Sequence, residues 1–328
     1  MTKYLILGGG GVFANQTSKF LLEKKTTKKV VAVGRNPRLP ECYSLNVGLN
    51  DKKYEYHQIH IVFELDRLIT LIDKIKPDYI INFAAIAYAT SWVGSHRYYD
   101  TNLMSVVRLC EELKKKKFLK KFIQIGSSEI FGSSNKPVDE STIAEPTSPY
   151  AVSKLATDMH LRTLWNVEKF PMNIVLPSNG YGPGQYMYRL IPKACLYGLY
   201  KKKFPLEGGG KVKKSFLHCR DIANAIFIVA HKGKPGETYN AGTEKPNSIK
   251  EIVKQVSSSL KVDFDSMVHI TPGRIGEDKQ YWLNSNKIKA LGWKQKISLE
   301  KGINEMTRWV TKYAEDLTAK ETDFTLRA

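Results

Sequence analysis

Short apolar runs alternate with helix-length segments through the first half of the chain, and this alternation constrains the fold more than any other feature. Five runs rich in β-branched and aromatic residues follow one another in the order KYLIL, KKVVAV, DYIINFAA, KFIQIG and MNIVLPS. Apolar runs separated by helices are typical of parallel strands that are buried on both faces. The sequence therefore predicts an α/β fold with a doubly wound parallel sheet and helices on both of its faces.

The alternation stops after Pro177, where Gly- and Pro-rich stretches replace the apolar runs. We expect residues 1–177 to form the sheet domain, with return elements near residues 221–242. Residues 178–220 and 243–328 then form a smaller C-terminal lobe. Within it, SIKEIVKQVSSSL and SLEKGINEMTRWVTKYAEDL have helical patterns.

A glycine cluster, LILGGGGVFANQ, lies between the first predicted strand and the first predicted helix. It fits G-x-x-G-x-x-A from Gly8 and G-x-G-x-x-A from Gly9, and the sequence leaves both registers open. In either register the glycines let the backbone approach a pyrophosphate at a helix N-terminus, while Ala14 lets the helix pack closely on the sheet. This context predicts a Rossmann-type dinucleotide site. Its candidate residues are Gly8, Gly9, Gly11, Val12 and Phe13.

The end of the second predicted strand, VVAVGRNP, bears on which dinucleotide binds. Gly34 stands where an acidic residue would accept a hydrogen bond from an adenosine 2′-hydroxyl, and Arg35 follows it. An arginine can pair with a 2′-phosphate, and the missing carboxylate removes a repulsion. We therefore expect NADP rather than NAD. The alternative is a solvated arginine in a surface turn.

The formal net charge of +19 indicates an anionic partner. Lysine supplies most of it, in tracts such as KKKKFLKK from Lys114 to Lys121, which the pattern assigns to a helix C-terminus with solvated side chains. No recognition helix and no aromatic-basic motif accompanies the charge. We therefore expect a phosphorylated small molecule as the partner, and no nucleic acid.

The four cysteines and seven histidines are dispersed along the chain, without a C-x-x-C or an H-E-x-x-H motif. We therefore expect neither a metal site nor a disulfide framework. No segment approaches the length of a membrane span, and the N-terminal apolar run is shorter than the core of a signal peptide. A cytoplasmic protein without membrane association is expected.

Two polar patterns supply candidates for chemistry. The run IQIGSSEIFG, residues 123–132, places Ser127, Ser128 and Glu129 in an apolar context, where a carboxylate is costly unless it is paired or used. Further along, SPYAVSKLA places Tyr150 and Lys154 one helical turn apart on one face. An ammonium near a phenol favours the phenolate, which can then remove a hydroxyl proton while hydride leaves the same carbon.

These patterns belong to a longer ordered set that extends from Tyr4 to about Val310. After the glycine cluster come INFAA, GSSEIFG, PVDE, SPYAVSKLA, YGPGQ, YNAGT and LGWKQKISLEKGI. In these features the chain resembles the extended short-chain dehydrogenase/reductases of the nucleotide-sugar epimerase and dehydratase type. The resemblance implies a Rossmann-type fold with a smaller C-terminal substrate-binding lobe, and a nucleotide-diphosphate sugar as the substrate.

The resemblance also implies roles for single residues. Tyr150 resembles the base on the sugar 4-hydroxyl, and Lys154 resembles its partner, which also holds the nicotinamide ribose. Ser127 resembles the hydroxyl that bonds the C4 oxygen. Glu129 occupies the position of the base that takes the C5 proton in 4,6-dehydratases, before water leaves from C6. Further implied contacts are Ala84, Ala85 and Pro177 for the cofactor, and Ser128, Asn179, Arg189, Lys214 and Arg274 for the substrate.

The resemblance thus favours a nucleotide-hexose 4,6-dehydratase with tightly bound NADP. A nucleotide-sugar 4-epimerase or an NADPH-dependent 4-keto-sugar reductase stays open, because similar Ser-Ser-Glu runs occur in other members, where Glu129 would only line the pocket. A non-catalytic nucleotide-binding protein is the alternative from another class. Residues 100–117 and 149–165 resemble the helices that pair into a four-helix bundle in family dimers, so a homodimer is expected.

Overall fold

The computed structural model describes residues 1–87, 94–273 and 280–318. Its strands are β1 (Thr2–Leu7), β2 (Thr27–Gly34), β3 (Tyr54–Gln58), β4 (Tyr79–Asn82), β5 (Lys121–Ile125), β6 (Met172–Pro177), β7 (Asn179–Tyr181), β8 (Phe204–Glu207), β9 (Lys213–Lys214), β10 (Phe216–His218), β11 (Thr238–Ala241), β12 (Asn247–Ser248), β13 (Val268–Thr271) and β14 (Gln280–Tyr281). Its α-helices are α1 (Val12–Leu22), α2 (Glu41–Ser44), α3 (Leu65–Ile75), α4 (His96–Tyr98), α5 (Ser105–Leu113), α6 (Pro149–Glu168), α7 (Leu190–Leu199), α8 (Cys219–Lys232), α9 (Ile249–Leu260), α10 (Phe264–Met267), α11 (Asn286–Ala290), α12 (Leu299–Lys312) and α13 (Ala314–Thr318). A π-helix spans Tyr99–Met104, and 3₁₀-helices span Ser128–Phe131 and Gly208–Gly210.

Seven of these strands form one sheet in the order β11-β6-β5-β4-β1-β2-β3. Every neighbouring pair in it is parallel. The five strands predicted from the apolar runs are β1, β2, β4, β5 and β6, and the sheet adds β3 and β11 at its two edges. This arrangement confirms the predicted α/β fold with a Rossmann-type, doubly wound parallel sheet.

Alternating side chains of β1 divide the core of the sheet into two layers. Leu5 and Leu7 belong to the cluster that includes α3, α5 and α6, whereas Tyr4 and Ile6 belong to the cluster that includes α1 and α8. Successive strand residues point to opposite faces, so each face needs its own helical cover. The helices on the two faces supply it.

A third apolar cluster lies largely in the chain beyond residue 177. Helices α7, α9 and α12 surround it, and Tyr43 joins it from the N-terminal half. Its members from these three helices include Ile191, Cys195, Ile252, Val256, Met306 and Val310. The boundary between the sheet domain and a C-terminal lobe stays a prediction.

The lysine tract between α5 and β5 is only partly solvated. Helix α5 ends at Leu113 with Lys114 as its C-cap, as predicted for the start of the tract. Lys121, in contrast, begins β5 and is only 6% exposed. Its ammonium donates to the carbonyl oxygens of Val229 at 3.3 Å and Gly233 at 2.7 Å. The expectation of solvated lysines is wrong for Lys121, because the strand places it under the end of α8.

Candidate active site

The strand order reverses between β1 and β4, and the carboxyl ends of these two strands border the crevice in which open α/β sheets bind ligands. Gly8 follows β1 directly and has a φ of +77°. A Cβ added to Gly8 would lie 2.6 Å from the backbone nitrogen of Ala84, just after β4. The two loops therefore approach each other closely because residue 8 has neither a side chain nor a restriction to negative φ.

The first turn of α1 is open to an anion. Gly11 is the N-cap in extended backbone, makes no side-chain capping bond, and precedes a first turn without acidic residues. Backbone N–H groups at such a helix end attract phosphate. Ala14, in the same turn, is fully buried. The tight turn is thus at Gly8, the helix N-cap at Gly11 and the close helix contact at Ala14. These three positions match the register that begins at Gly8.

The other predicted cofactor residues lie at the same edge of the sheet. They are Gly9 in the loop, Val12 and Phe13 at the start of α1, Ala84 and Ala85 after β4, and Pro177 at the end of β6. A Cβ on Gly9 would lie 2.7 Å from the Cβ of Ala32, so the loop also rests on β2. The ring of Phe13 packs against Gly180 in β7. Gly8 to Phe13, with Ala84, Ala85 and Pro177, form a cradle that fits a dinucleotide.

A side chain at the end of β2 would meet Tyr56. Any Cβ at Gly34 would overlap the hydroxyl of Tyr56, which donates to the carbonyl oxygen of Asn36 at 2.8 Å. The next residue, Arg35, is exposed, and its backbone oxygen accepts a 3.1 Å hydrogen bond from the Gln58 side chain. An exposed arginine therefore directly follows, in the sequence, the position where a carboxylate would hold an unphosphorylated ribose.

Helix α6 brings Tyr150 and Lys154 to the end of β5. Ser148 caps the helix and a proline follows it, so Tyr150 lies in the first turn. Both side chains are buried, with 8% of Tyr150 and 3% of Lys154 exposed. The Lys154 ammonium donates a 2.6 Å hydrogen bond to the carbonyl oxygen of Ile125, the last residue of β5. The predicted pair thus sits at the carboxyl edge of the sheet.

The Ser-Ser-Glu run turns the chain away from β5 through the 3₁₀-helix Ser128–Phe131. Ser127 is the N-cap of this turn and accepts a 3.2 Å hydrogen bond from the Glu129 backbone nitrogen. The Ser127 hydroxyl also lies close enough to the phenol of Tyr150 to lower the pKa of that phenol. Ser128 is buried and Glu129 is partly exposed. The two serines and the glutamate interrupt the apolar pattern because β5 ends here, next to the Tyr150 phenol.

Burial dominates the proton affinities of the pair on α6. It raises the pKa of the Tyr150 phenol, the charge of Glu129 raises that pKa further, and the hydrogen bond with Ser127 lowers it. Burial also lowers the pKa of Lys154 to about 8, against the attraction of Asp158. In the protein alone, the phenol is thus not converted to a phenolate by Lys154, whose ammonium bonds to Ile125 instead.

Two further predicted substrate residues carry polar groups. Arg189 lies near enough to act on the Tyr150 phenol, and Asn179 begins β7. Arg189 caps α7 and donates to the carbonyl oxygen of Ala87 at 3.0 Å, and its charge lowers the pKa of Tyr150. The side-chain nitrogen of Asn179 is buried and makes no hydrogen bond to any described residue. A buried donor of this kind is available to a bound ligand.

The remaining predicted substrate residues are less informative. Lys214 is half-buried in β9, between β12 and β14, in a separate three-stranded sheet. Arg274 lies outside the described residues. The structure thus brings Ser127, Ser128, Glu129, Tyr150 and Lys154 together at one edge, with Arg189 close enough to influence the phenol.

Asn102, a residue that the sequence analysis did not select, connects α6 to the loop after β4. It lies in the π-helix, and its side chain bonds to Ile86 twice, at 2.8 Å to the nitrogen and 3.1 Å to the oxygen. It also donates to the hydroxyl of Ser153 at 2.9 Å. The sequence signal that could have identified Asn102 is an asparagine on the buried face of a helical pattern. π-Helical turns are also frequent at functional sites.

The structure also bears on metal binding, membrane spanning and thiol pairing. Residues 1–87, 94–273 and 280–318 contain no group of three or more His, Cys, Asp or Glu side chains that could hold a metal ion. No helix in those residues is long and apolar enough to cross a membrane. Cys42, Cys110, Cys195 and Cys219 are buried free thiols.

Comparisons with known proteins agree with this geometry. The family model described as GDP-mannose 4,6 dehydratase matches residues 5–306. The dTDP-D-glucose 4,6-dehydratase of Mus musculus is 28% identical over 325 residues, covering 94% of this chain and 89% of that protein. The crystal structure of dTDP-glucose 4,6-dehydratase from Bacillus anthracis in complex with NAD has a TM-score of 0.87 at 29% identity, covering 96% of this chain and 98% of that one.

The same fold occurs in an epimerase. The structure of UDP-glucose 4-epimerase from Thermotoga maritima with UDP-glucose has a TM-score of 0.85 at 23% identity, covering 95% of this chain and 99% of that one. The fold alone therefore does not separate the two reactions. The family match spans nearly the whole ordered set of motifs and confirms the resemblance to the nucleotide-sugar epimerases and dehydratases. The chain belongs to the GDP-mannose 4,6 dehydratase family.

Proposed function

We propose that the protein is a nucleotide-hexose 4,6-dehydratase. The observation that carries the proposal is the position of Glu129, a partly exposed carboxylate two residues beyond Ser127 whose charge raises the pKa of Tyr150. A 4-epimerase needs a base at the 4-hydroxyl, whereas dehydration needs a second proton acceptor at the neighbouring carbon. Glu129 is close enough to Tyr150 to be that second group.

The first proton transfer belongs to Tyr150. As the phenolate, Tyr150 takes the proton of the sugar 4-hydroxyl and becomes the neutral phenol, while Ser127, whose hydroxyl lies close to that phenol, hydrogen-bonds to the same sugar oxygen. Lys154, fixed by Ile125, places a positive charge on the same helix face and favours the phenolate once a substrate is bound. A bound nicotinamide ring supplies the hydride acceptor at C4 and the hydride donor at C6.

The second proton transfer belongs to Glu129. Once C4 is a ketone, the C5 proton is acidic and the carboxylate accepts it. The Glu129 carboxylic acid returns this proton to the C6 hydroxyl, which leaves as water. C5 then receives a proton from solvent, and the proton that Tyr150 took from the 4-hydroxyl is released to solvent. C4 loses one hydride and C6 gains one, so the sugar loses one water overall and the dinucleotide is not consumed.

The dinucleotide we propose is NADP, held by the loop from Gly8 to Phe13. The relative from Bacillus anthracis was solved with NAD, which supports a nicotinamide dinucleotide here. The end of β2 supports the phosphorylated form, because Tyr56 fills the space next to Gly34 and Arg35 is exposed beside it. A guanidinium pairs with phosphate by charge-assisted hydrogen bonds.

The substrate we propose is a nucleotide-diphosphate sugar bound beside Tyr150, between the sheet domain and the residues of 178–220 and 243–328. The relatives named above act on or bind dTDP- and UDP-linked glucose. Arg189 near the phenol and the amide nitrogen of Asn179, which has no hydrogen-bond partner among the described residues, are suited to an anionic, hydroxyl-rich ligand. The net charge of +19 attracts such anions from solution.

We also propose a homodimer in the cytoplasm. The π-helix and α6 leave apolar side chains in solvent, with Met104 39%, Val152 38% and Met159 59% exposed. Adjacent apolar side chains on neighbouring helices suit a four-helix bundle formed with a second copy. The four buried free thiols agree with a reducing compartment.

Mass spectrometry tests the reaction. Purified protein is incubated with catalytic NADP or NAD and, separately, UDP-, dTDP-, CDP- and GDP-hexoses. Loss of one water from a member of the panel is the expected result, and it also names the nucleotide. An isomer of unchanged mass would replace the proposal with an epimerase. Consumption of NADPH with a 4-keto-sugar, without water loss from any hexose, would replace it with a reductase.

A further inference from the structure

Asp158 is a buried carboxylate without a hydrogen-bond partner in the part of the chain that the structure describes. It is fully buried in α6, and neither of its side-chain oxygens accepts a hydrogen bond from the described residues. Burying an ionised carboxylate in this way is costly unless a nearby charge compensates it. The mechanism proposed above makes no use of it, so its presence in the core needs an explanation.

The position of Asp158 relates it to the catalytic pair. Tyr150, Lys154 and Asp158 are spaced four residues apart and lie in succession along one side of α6. The carboxylate lies against the backbone that follows β5, since a Cβ added to Gly126 would be 3.0 Å from the Asp158 Oδ2 atom. Gly126 is the residue after Ile125, whose carbonyl oxygen holds the Lys154 ammonium.

The charged groups that face this cluster come from three elements. On α6, Lys154 and Arg162 attract the Asp158 carboxylate. From the turn after β5, Glu129 acts on the Tyr150 phenol, and from the start of α7 Arg189 acts on it with the opposite sign. Arg162 is engaged elsewhere, donating to the Thr238 hydroxyl at 3.1 Å. Within the described residues, Lys154 is thus the cation that lies one helical turn from Asp158 in the direction of Tyr150.

We propose that Asp158 is a positioning residue that acts through Lys154, as the buried counter-ion that keeps the ammonium charged beside Tyr150. Its catalytic consequence rests on the proposed function, since a charged Lys154 favours the phenolate of Tyr150 once substrate is bound, whereas the charge of Asp158 itself weakly opposes that phenolate. A carboxylate one turn deeper supplies charge without taking the hydrogen bond that Lys154 makes to Ile125. Lys154 can therefore stay both fixed and protonated in a buried site.

The proton affinities of the two groups agree with this geometry. Burial raises the pKa of Asp158 to about 7, and the charges of Lys154 and Arg162 oppose the rise. Burial lowers the pKa of Lys154 to about 8, and the charge of Asp158 opposes the fall. Each group therefore favours the ionised form of the other, as the two members of a coupled pair must.

The test is a direct titration of Lys154 in protein without substrate or cofactor. Protein labelled with ¹³C at the lysine ε-carbons is followed by NMR from pH 6 to 11, and the Lys154 resonance is identified by its loss in Lys154→Arg. Asp158→Asn keeps the shape of the side chain and removes its charge. We expect it to lower the pKa of Lys154 by about one unit or more, the size typical of a lost opposite charge.

Two further variants separate electrostatics from packing. Thr157→Val changes a fully buried neighbour on the same helix, whose hydroxyl donates to the carbonyl oxygens of Asn102 and Ser153. It should leave the pKa of Lys154 unchanged. Lys154→Met should raise the pKa of Asp158, observed by ¹³C labelling of the aspartates, because the coupling is reciprocal. This measurement tests the proposal independently should Asp158→Asn fail to fold.

An unchanged pKa of Lys154 in Asp158→Asn would overturn the proposal, and so would an unchanged pKa of Asp158 in Lys154→Met. Neither result depends on which sugar the enzyme takes, so failure of the dehydratase assignment leaves this test intact. With a substrate identified, the alkaline limb of the kcat profile should move to lower pH in Asp158→Asn and stay in place in Thr157→Val. A structural defect alone would lower the rate without moving that limb.

Discussion

Gly8 and Ala84 meet where the loops after β1 and β4 come together, and a Cβ on Gly8 would stand 2.6 Å from the Ala84 backbone nitrogen. The positive φ of Gly8 adds a second reason why no other residue fits. Gly8→Ala should destabilise the fold by more than about 1–2 kcal/mol, the strain of a left-handed residue alone, and weaken dinucleotide binding at least tenfold. Urea unfolding and fluorescence titration with NADPH measure both effects.

Gly209 provides a matched control for that prediction. It has a φ of +67°, and no atom of the described residues lies within 4 Å of an added Cβ. Gly209→Ala should therefore carry the left-handed strain without the collision, and leave dinucleotide affinity unchanged. Equal affinities for NADPH in the two variants would contradict the placement of the cofactor at the loop after β1.

Arg35 should decide between the two dinucleotides. Arg35→Gln removes the guanidinium that we assign to the 2′-phosphate, and the affinity for NADPH should fall by about tenfold or more while the affinity for NADH is unchanged. Isothermal titration with both reduced cofactors measures the ratio. Arg38→Gln is the control, because Arg38 bonds to the Val47 carbonyl oxygen and packs over Tyr54. Tighter binding of NADH than NADPH by the unaltered protein would refute the assignment.

His218 should make the fold sensitive to mild acid. It is buried and caps α8 by accepting a hydrogen bond from the Arg220 backbone nitrogen. Burial lowers its pKa to about 4 from the ordinary 6.5, and the charges of Arg220 and Lys301 add to this. Glu305 lies 3.4 Å from the ring, but the cost of burying the charged imidazole outweighs its attraction.

Between pH 6.5 and 4 the unfolded chain binds more protons at His218 than the folded chain does, so the free energy of unfolding falls as the pH falls through this window. We expect His218 to account for a loss of about 2 kcal/mol between pH 7 and pH 5. Urea unfolding at pH 7, 6 and 5 measures it. His218→Asn keeps a side chain that can cap α8 but does not titrate between pH 5 and 7. Its free energy of unfolding should therefore fall by about 2 kcal/mol less over this range than that of the unaltered protein. Identical slopes in both proteins would disprove the account.

Met159 tests the proposed helix bundle. Met159→Glu places a charge on the exposed apolar face of α6 and should convert the dimer to monomers in sedimentation velocity. Ile270→Glu, at an even more exposed apolar side chain in β13, should leave the dimer intact. A monomer before any substitution would reject the bundle, as would dissociation by both variants to the same extent.

The apolar periodicity of the sequence predicts the strands that are buried on both faces but not all of those at the edges. β3, with the sequence YEYHQ, alternates aromatic and polar residues, so it lacks the continuous apolar run by which β1 and β2 were identified. Its omission concealed Tyr56, the residue that closes the space beside Gly34. That contact joins residues of different strands, and local pattern does not encode it.

The chemistry of the site was predictable where motifs keep fixed spacings, as for Ser127 with Glu129 and Tyr150 with Lys154. The register of the glycine loop was not, because it depends on the approach of the distant Ala84. The direction of the Tyr150 pKa shift was not predictable either. Local spacing suggested a phenol activated by its lysine, whereas burial by the surrounding tertiary structure has the larger effect.

The role of Glu129 tests the central claim most directly. The unaltered protein and Glu129→Gln are incubated in D₂O with cofactor and the nucleotide hexose identified from the panel, and the products are examined by mass spectrometry and NMR. We predict that the unaltered protein releases a product that has lost one water and carries deuterium at C5, and that Glu129→Gln forms it about 10²–10⁴ times more slowly. Dehydration by Glu129→Gln at the unaltered rate would contradict the account, as would a product of the unaltered protein that retains its water.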